Sequence, residues 1–290
     1  MFIQPMLAKK TNNVELPESG YVFEIKWDGI RAIIDIGRRV KIYSRSGREI
    51  TRQFPELVEA FESQPFNRQV TYDAEIIVLK EGVPSFPHVT SRLHLGDTEG
   101  RHHGAYENPA TAMVFDTVRF DNEDITHRQL EHRRPYLLDL DKNERIEVSI
   151  SSKDPEKMLK HVTNMQMEGL IAKKIGSPYR AGRRTNDWLK FKLMYEEIVE
   201  VYGYTEGLGK RQGYFGALLI RGLDGSEIGK VGTGFTDEVL AMMTSKLKGH
   251  EPHTKSPGIN LLGIPFKAVV KGMKKNSSGA IREPRFIRLA

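Results

Sequence analysis

Three short runs of alternating apolar residues, Tyr21 to Lys26, Arg31 to Ile36 and Val40 to Ser44, follow one another almost without pause. Only Trp27-Asp28-Gly29-Ile30 and Gly37-Arg38-Arg39 separate them. Period-two alternation joined by such short turns calls for antiparallel strands. Glu24-Ile25-Lys26-Trp27-Asp28-Gly29-Ile30-Arg31 therefore sits where a strand ends and a loop begins, with Lys26 held on a sheet. A lysine, an aspartate, a glycine and an arginine within six residues suit an amine nucleophile beside a phosphate. Such an amine is mostly protonated at neutral pH and attacks phosphorus only when burial or nearby cations lower its pKa. The same residues also suit a plain Asp-Gly hairpin turn.

At 290 residues the chain is long enough for about two domains, each with a core of its own. The 44 Lys and Arg outnumber the 38 Asp and Glu for a net charge of +6, a balance that fits a polyanionic partner and also fits a highly soluble enzyme. The absence of cysteine removes disulfide frameworks, thiol nucleophiles and cysteine-based zinc sites. A reducing cytoplasm is the expected location. The N-terminal residues carry no signal-peptide pattern, and no apolar run approaches the 18 residues of a membrane span.

Along the chain, Thr51 reads as a helix N-cap, followed by Phe54, Leu57, Val58 and Phe61 at helical spacing. The β-rich run Val70 to Leu79 embeds Asp73 and Glu75, a costly place for carboxylates unless they are paired or used. Pro84 to Ala110 scatters His88, His94, His102 and His103 among Gly and Pro, which reads as a mobile or nucleic-acid-contacting segment more than as a metal site. Thr111 to Val118 returns to strand character and contains Phe115. Asp124 to Leu140 reads as a solvated helix, Ile146 to Ile150 as a short strand, and Asp154-Pro155-Glu156 as the start of a helix running to about Gln166. Glu168 opens the next apolar strand. In the basic block Tyr179 to Lys192, Lys190 and Lys192 stand two apart, so a strand turns both toward one phosphate. A charged edge strand would look the same.

The pattern changes at Leu193 to Glu197, which places a domain boundary there: residues 1–192, then 193–290. Short strands follow at Ile198 to Tyr204, Ala217 to Arg221, Glu227 to Gly232 and Lys267 to Met273, with a helix at Asp237 to Lys248. That series predicts a small barrel of the oligonucleotide-binding (OB) type. The loop Gly207 to Gly213 is basic and suits either a phosphate backbone or a hairpin connection.

Taken together, these residues resemble the ATP-dependent DNA ligases of the covalent nucleotidyltransferase superfamily, over nearly the whole chain. Lys26-Trp27-Asp28-Gly29-Ile30-Arg31 is similar to that family's Lys-x-Asp-Gly-x-Arg motif, and Ser44-Arg45-Ser46-Gly47 to its Ser-Arg-x-Gly element. Asp73-Ala74-Glu75, Val114-Phe115-Asp116, Glu168 to Lys173 and Trp188 to Lys192 follow in the family's order. Val231-Gly232-Thr233-Gly234-Phe235 looks more like DNA ligases than like other branches.

The resemblance implies an α+β fold: an adenylation (nucleotidyltransferase) domain of antiparallel sheets and helices, followed by a C-terminal OB-fold barrel. It implies sealing of 5′-phosphate/3′-hydroxyl nicks in duplex DNA, in replication, repair or recombination, through a lysyl-AMP on Lys26 and then a DNA-adenylate. Lys190 and Lys192 would hold the α-phosphate, Glu75 would accept from a ribose hydroxyl, and Phe115 would stack on adenine. Arg31 and Arg45 would contact the nucleotide and the nick phosphate. Glu24, Arg285 and either Arg183 or Arg184 complete the implied nucleotide-binding set. Glu75 and Glu168, with Asp28 or Asp116, would place Mg²⁺, for which Mn²⁺ would substitute. The implied partners are ATP and nicked DNA, met by a monomer whose second domain closes over the duplex about Leu193 to Glu197.

One departure stands at the C-terminus. Arg282-Glu283-Pro284-Arg285-Phe286 matches the family's Arg-x-Pro-x-Phe segment, but no Asp-Lys pair follows before Ala290. Slower self-adenylation than sealing of a pre-adenylated nick is the expectation, unless Arg282, Arg285 and Arg288 suffice. The alternatives are an RNA ligase, a capping-type nucleotidyltransferase and a non-catalytic nucleic-acid-binding relative. The missing cysteines and the absence of a domain before Lys26 speak against an NAD-dependent ligase.

Overall fold

The computed structural model describes residues 2–11, 16–65, 68–249, 255–256, 258–275 and 279–290. The fold is α+β, and the chain divides into two compact units, Met1–Lys192 and Leu193–Ala290.

The first unit holds two sheets. In the larger, the strands Val40–Ser44, Ile30–Ile36, Val70–Lys80, Ala110–Phe120 and Glu123–Asp124 lie side by side in that order, with Val83–Pro84 and a parallel Ile146–Val148 attached. Alternate side chains such as Ala32, Ile34, Tyr72, Ala74 and Ile76 point to one face, where they pack with Leu57 and Phe61 of the helix Pro55–Glu62. The smaller sheet runs Leu7–Lys10, Arg184–Lys192, Gly169–Lys174, Tyr21–Ile25 and Ser151–Ser152. Met6, Phe115, Tyr179 and Trp188 form a second apolar cluster that draws on both sheets.

Several local expectations change for identifiable reasons. The Thr51 hydroxyl does not cap the helix: it accepts from the Ile42 amide at 3.0 Å and donates to Glu49 at 3.1 Å. A 3₁₀ turn over Thr51–Gln53 precedes the helix, which starts at Pro55, where a proline needs no amide. The segment from Pro84 to Ala110 forms the helices Phe86–Arg92 and Thr98–Glu107, the latter capped by Asp97, whose carboxylate accepts from the Gly100 amide. Arg92, fully buried, ties that segment down through Glu56, the Gln53 carbonyl and the Asn108 carbonyl. Asp124 to Leu140 is no single solvated helix but a short one, Leu130–Arg133, followed by a 3₁₀ turn, with Leu130 and Arg133 buried. The strand expected over Ile146 to Ile150 is shorter, Ile146–Val148, and joins the larger sheet, while Ser151–Ser152 just beyond it pairs in the smaller.

The strand Ala110–Phe120 carries two bulges. Asp73 pairs with Asp116 and Ala74 with Val114, so Phe115 is the extra residue; Val118 is extra in the same way between Thr117 and Arg119. Bulges re-aim side chains, and both extra residues join the cluster shared by the sheets. Beside them Asp73 and Asp116 stand opposite each other, both fully buried. Like charges opposed across strands repel. Each is held by an arginine in two-point contact: Asp73 by Arg31 at 2.5 and 2.6 Å, Asp116 by Arg133 at 2.9 and 2.8 Å. Asp116 is thus held in a buried ion pair with Arg133.

In the second unit the strands Glu227–Val231, Phe215–Arg221, Tyr195–Glu206, Ile259–Lys275 and Ile281–Leu289 are neighbours in that order. The helix Asp237–Lys248 is capped by Thr236, whose hydroxyl accepts from Val239, and buries Leu240, Met243 and Leu247. Phe235 stacks on Phe286 with ring centres 4.8 Å apart and meets Phe215 edge-on. The Phe286 amide donates to the Thr233 carbonyl at 2.8 Å, and Gly234, at φ +96°, leaves no room for a Cβ against the Phe286 backbone. Two separate sequence motifs are therefore one structural unit.

Removing one member of a buried ion pair leaves the other uncompensated and costs about 3–5 kcal/mol. Arg133→Met is expected to lower the stability of the first unit by that amount, while adding Asp116→Leu recovers at least half. Denaturant titration followed by tryptophan fluorescence checks this, because both tryptophans lie in the first unit.

Candidate active site

Lys26 follows directly on the strand Tyr21–Ile25, and its amide donates to the Gly169 carbonyl at 2.9 Å. The turn after it is pinned by the Trp27 indole, which donates to the Ser149 hydroxyl at 3.0 Å. It is pinned again at Gly29, where a Cβ would collide with the Ile76 carbonyl. Close backbone approach is the use of glycine there. Gly169, at φ +153°, makes the matching approach to the Phe191 carbonyl. The lysine is thus fixed at both ends of its loop before any ligand contributes.

A cavity opens beside it, lined among others by Glu24, Lys26, Arg31, Arg45, Glu75 and Phe115 from the N-terminal half of the unit. Lys173, Arg184, Trp188 and Lys190 line it from the C-terminal half. Lys26 forms an ion pair with Glu168, whose other oxygen lies 3.6 Å from the Lys192 Nζ. The Arg184 guanidinium donates to the Ala8 carbonyl at 2.5 Å at the cavity wall. Arg183 is exposed and does not line the cavity. Arg45 is exposed at the edge of the lining, and Arg285 lies exposed on the strand Ile281–Leu289 of the second unit.

The electrostatics follow from this crowding. Burial lowers the Lys190 ammonium, and the adjacent Lys26, Arg184 and Lys192 lower it further. Burial likewise lowers Lys173, against the opposing pull of Glu24. Desolvation pushes the Glu75 carboxyl up to about 7, although Arg31 and Lys26 pull the other way. Burial works against the Arg31 charge, yet its contacts with Asp73 leave the guanidinium held above its ordinary value.

Three residues to which the sequence assigns no role, Asp73, Lys173 and Arg134, shape the site. Asp73 was visible as one of two embedded acids; it accepts both from Arg31 and from the Tyr179 hydroxyl at 2.5 Å, so it positions Arg31. Lys173 lies 2.7 Å from Glu24, and its Nζ is 4.3 and 4.4 Å from the ring centres of Phe115 and Trp188. Arg134 pairs with the other oxygen of Glu24. The Arg31 guanidinium lies 4.5 Å from the Phe115 ring centre. Phe115 is thus an aromatic wall with cations against it, re-aimed by its bulge. No sequence signal joins Glu24 to Arg134, 110 residues away.

A family model described as the ATP dependent DNA ligase domain matches residues 5–192. The multifunctional non-homologous end joining protein LigD of Mycolicibacterium smegmatis is 30% identical, over 97% of this chain and 37% of its own length. The DNA ligase of Thermococcus fumicolans is also 30% identical, over 99% of this chain and 55% of its own. This chain therefore spans between about a third and a little over half the length of these curated relatives. Among solved structures, the ligase domain of M. tuberculosis LigD superposes with a TM-score of 0.59 at 26% identity, covering 99% of this chain and 95% of that one. A Lig E DNA ligase reaches a TM-score of 0.67 over the full length of both chains at 20% identity, a likeness of fold alone.

The raised Glu75 carboxyl makes stability depend on pH. In the unfolded chain the group ionises near its ordinary value of 4.5, whereas in the folded chain it holds its proton to about 7. Its contribution is therefore fully present below pH 4.5 and is lost as pH rises toward 7. Glu75→Gln is expected to remove that loss, so that variant and wild type differ by an extra ~1–3 kcal/mol at pH 7.5 relative to pH 5. Paired melting curves at the two pH values measure it.

Proposed function

Since the chain belongs to the ATP-dependent DNA ligase family, whose domain model matches most of its first unit, we propose that it seals nicks in duplex DNA with ATP as the adenylyl donor. The observation that carries this reading is Lys26 held at a cavity lined by Lys190, Arg184 and Arg45, with Lys192 close by on the far side of Glu168. Such a rim is built for phosphate, and nucleotidyl transfer is governed by positioning and charge neutralisation.

Lys26 Nζ attacks the α-phosphorus of ATP, a P–N bond forms, and pyrophosphate leaves. Glu168, which accepts from the Lys26 ammonium, is placed to take the proton that the amine must lose. Lys190 and Lys192 neutralise the α-phosphate. Glu75 in its ionised form accepts from a ribose hydroxyl, and Phe115 with Trp188 walls the base. Arg45 meets the 5′-phosphate of the nick, to which AMP passes before the 3′-hydroxyl displaces it. Arg184, which lines the cavity, is favoured over Arg183 for a phosphate contact.

The oxygen donors of Glu168 and Glu75 suit Mg²⁺. No group of three acidic or histidine side chains gathers to hold a metal among the described residues, which fits an ion bound by one or two carboxylates and the substrate's own phosphates. When bound, the ion would supply further charge neutralisation. His88 instead shares a hydrogen bond with Ser85 at 2.7 Å.

We also read the second unit as an OB barrel. Its five main strands follow the spatial order third, second, first, fourth, fifth, with the helix between the third and the fourth, and the third and fifth strands touch. No helix among the described residues is long and apolar enough to cross a membrane, and a monomer working on DNA in the cytoplasm is the simplest setting.

Lys26→Ala is expected to abolish covalent labelling of the protein by α-labelled ATP while its melting temperature stays within about 4 °C of wild type. Undiminished labelling would remove the central claim. Sealing of nicked substrates with DNA and RNA strands in turn, and labelling with GTP, separates this reading from an RNA ligase or a capping enzyme.

A further inference from the structure

Outside the cavity, a second basic hollow lies on the larger sheet, lined by Arg38 and Arg39 at one hairpin tip, Lys41 and Tyr43 on the edge strand, Gln69, and Arg119 three strands across. Asp35 is the single acid in its lining, and the Thr71 hydroxyl donates to it at 2.8 Å. The hollow is on the same face of the sheet as the cavity. Register shows this: Lys41 is opposite Asp35 and Tyr43 opposite Ile33, while Ile33 is opposite Asp73 and Arg31 opposite Glu75. Arg119 is opposite Thr71, itself opposite Asp35.

Charges along an edge strand commonly serve only to block edge-to-edge pairing. That explanation covers Lys41 but not Arg119, which comes from an interior strand. The Arg119 Nε is buried without a hydrogen-bond partner, an arrangement with a cost that an incoming acceptor would relieve. None of Arg38, Arg39 and Lys41 is in an ion pair among the described residues, and Arg119 stands opposite Asp124 on the next strand, whose carboxylate it attracts without a hydrogen bond to its own Nε. Four cations therefore converge on one surface whose lining holds a single carboxylate, already bonded to Thr71, with Asp124, bonded to Thr126, at the margin beside Arg119.

We propose that this hollow is a track for the phosphate backbone of the duplex flanking the nick, continuing from Arg45 along the edge strand to the hairpin tip. The proposal rests on the ligase reading above. From Arg45 to Arg39 the strand covers roughly 20 Å at about 3.3 Å per residue, the rise of about six nucleotides of one DNA strand. The track holds the duplex in register with Lys26 without touching the reacting atoms, so its loss weakens DNA binding and spares adenylation.

The test uses the exposed triple variant Arg38→Ala, Arg39→Ala, Lys41→Ala, leaving the part-buried Arg119 in place. Binding of a nicked duplex with arms of about ten base pairs is measured from low to moderate salt, beside labelling by α-labelled ATP. Labelling is expected to be unchanged. Affinity is expected to fall about tenfold or more at low salt, with the slope of log K against log salt shallower by about 2–3, close to 0.9 for each lost phosphate contact. Arg38→Lys, Arg39→Lys, Lys41→Arg, which keeps the charges, is expected to retain the wild-type slope. A triple variant that labels normally and keeps both affinity and slope overturns the track alone. A wild-type protein that neither labels nor binds nicked DNA overturns the ligase reading instead.

Discussion

Two carboxylates facing each other across adjacent buried strands should push those strands apart. Asp73 and Asp116 do not, because each is clamped in two-point contact by an arginine, one from within the sheet and one from the last residue of the helix Leu130–Arg133. Those clamps sit between the two bulges of the strand Ala110–Phe120. The bulges in turn carry Phe115 and Val118 into the cluster shared with the smaller sheet. The cavity wall thus depends on a pair of buried charges whose own solvation is supplied by protein. A buried ion pair is weak evidence for stability; here its consequence is placement, since Arg31 is both the clamp on Asp73 and a lining residue of the cavity.

This dependence explains what was legible in the chain and what was not. Lys26, Asp28, Gly29 and Arg31 are neighbours in sequence, so alternation and turn chemistry are enough to put an amine at the end of a strand. Lys190 and Lys192 are legible for the same local reason, a period of two on one strand. Phe115 is visible as an aromatic residue, but alternation says nothing of the bulge that turns it toward the cavity. Asp73 attracts notice as a buried acid, yet its partners Arg31 and Tyr179 lie 42 and 106 residues away. The segment Asp124 to Leu140 misleads because Arg133 and Arg134 read as solvent-facing charges, and only tertiary contact shows that Asp116 and Glu24 receive them. Propensity rules assume that a charge seeks water, and that assumption fails where an arginine meets a buried acid.

The second unit shows the converse. Val231 to Phe235 and Arg282 to Phe286 look in sequence like two independent signals, and the ring stack of Phe235 on Phe286 makes them one. Gly234 within the first is required by the approach of the Phe286 backbone, so the motif there records packing as much as chemistry.

The balance of charge at the cavity carries the last step. Lys26, Arg31, Arg45, Lys173, Arg184 and Lys190 line a space in which Glu24 and Glu75 are the lining carboxyls, with Glu168 between Lys26 and Lys192 beside it, and burial pushes the Glu75 carboxyl up to about 7. A cluster so composed is repulsive by itself, and Lys190, lowered first by burial, is lowered further by its cationic neighbours. Sites that break the local rules of packing and charge are where function is expected. A polyanion entering the cavity relieves the repulsion among the lysines, and its charge counters the like-charge terms that lower Lys190. On the proposed ligase reading the substrate would stabilise the protonated lysines that hold it, while Lys26, paired with Glu168, would have a route for its proton. On that reading, one electrostatic arrangement would serve both to bind phosphate and to separate the single lysine that attacks from the two that hold.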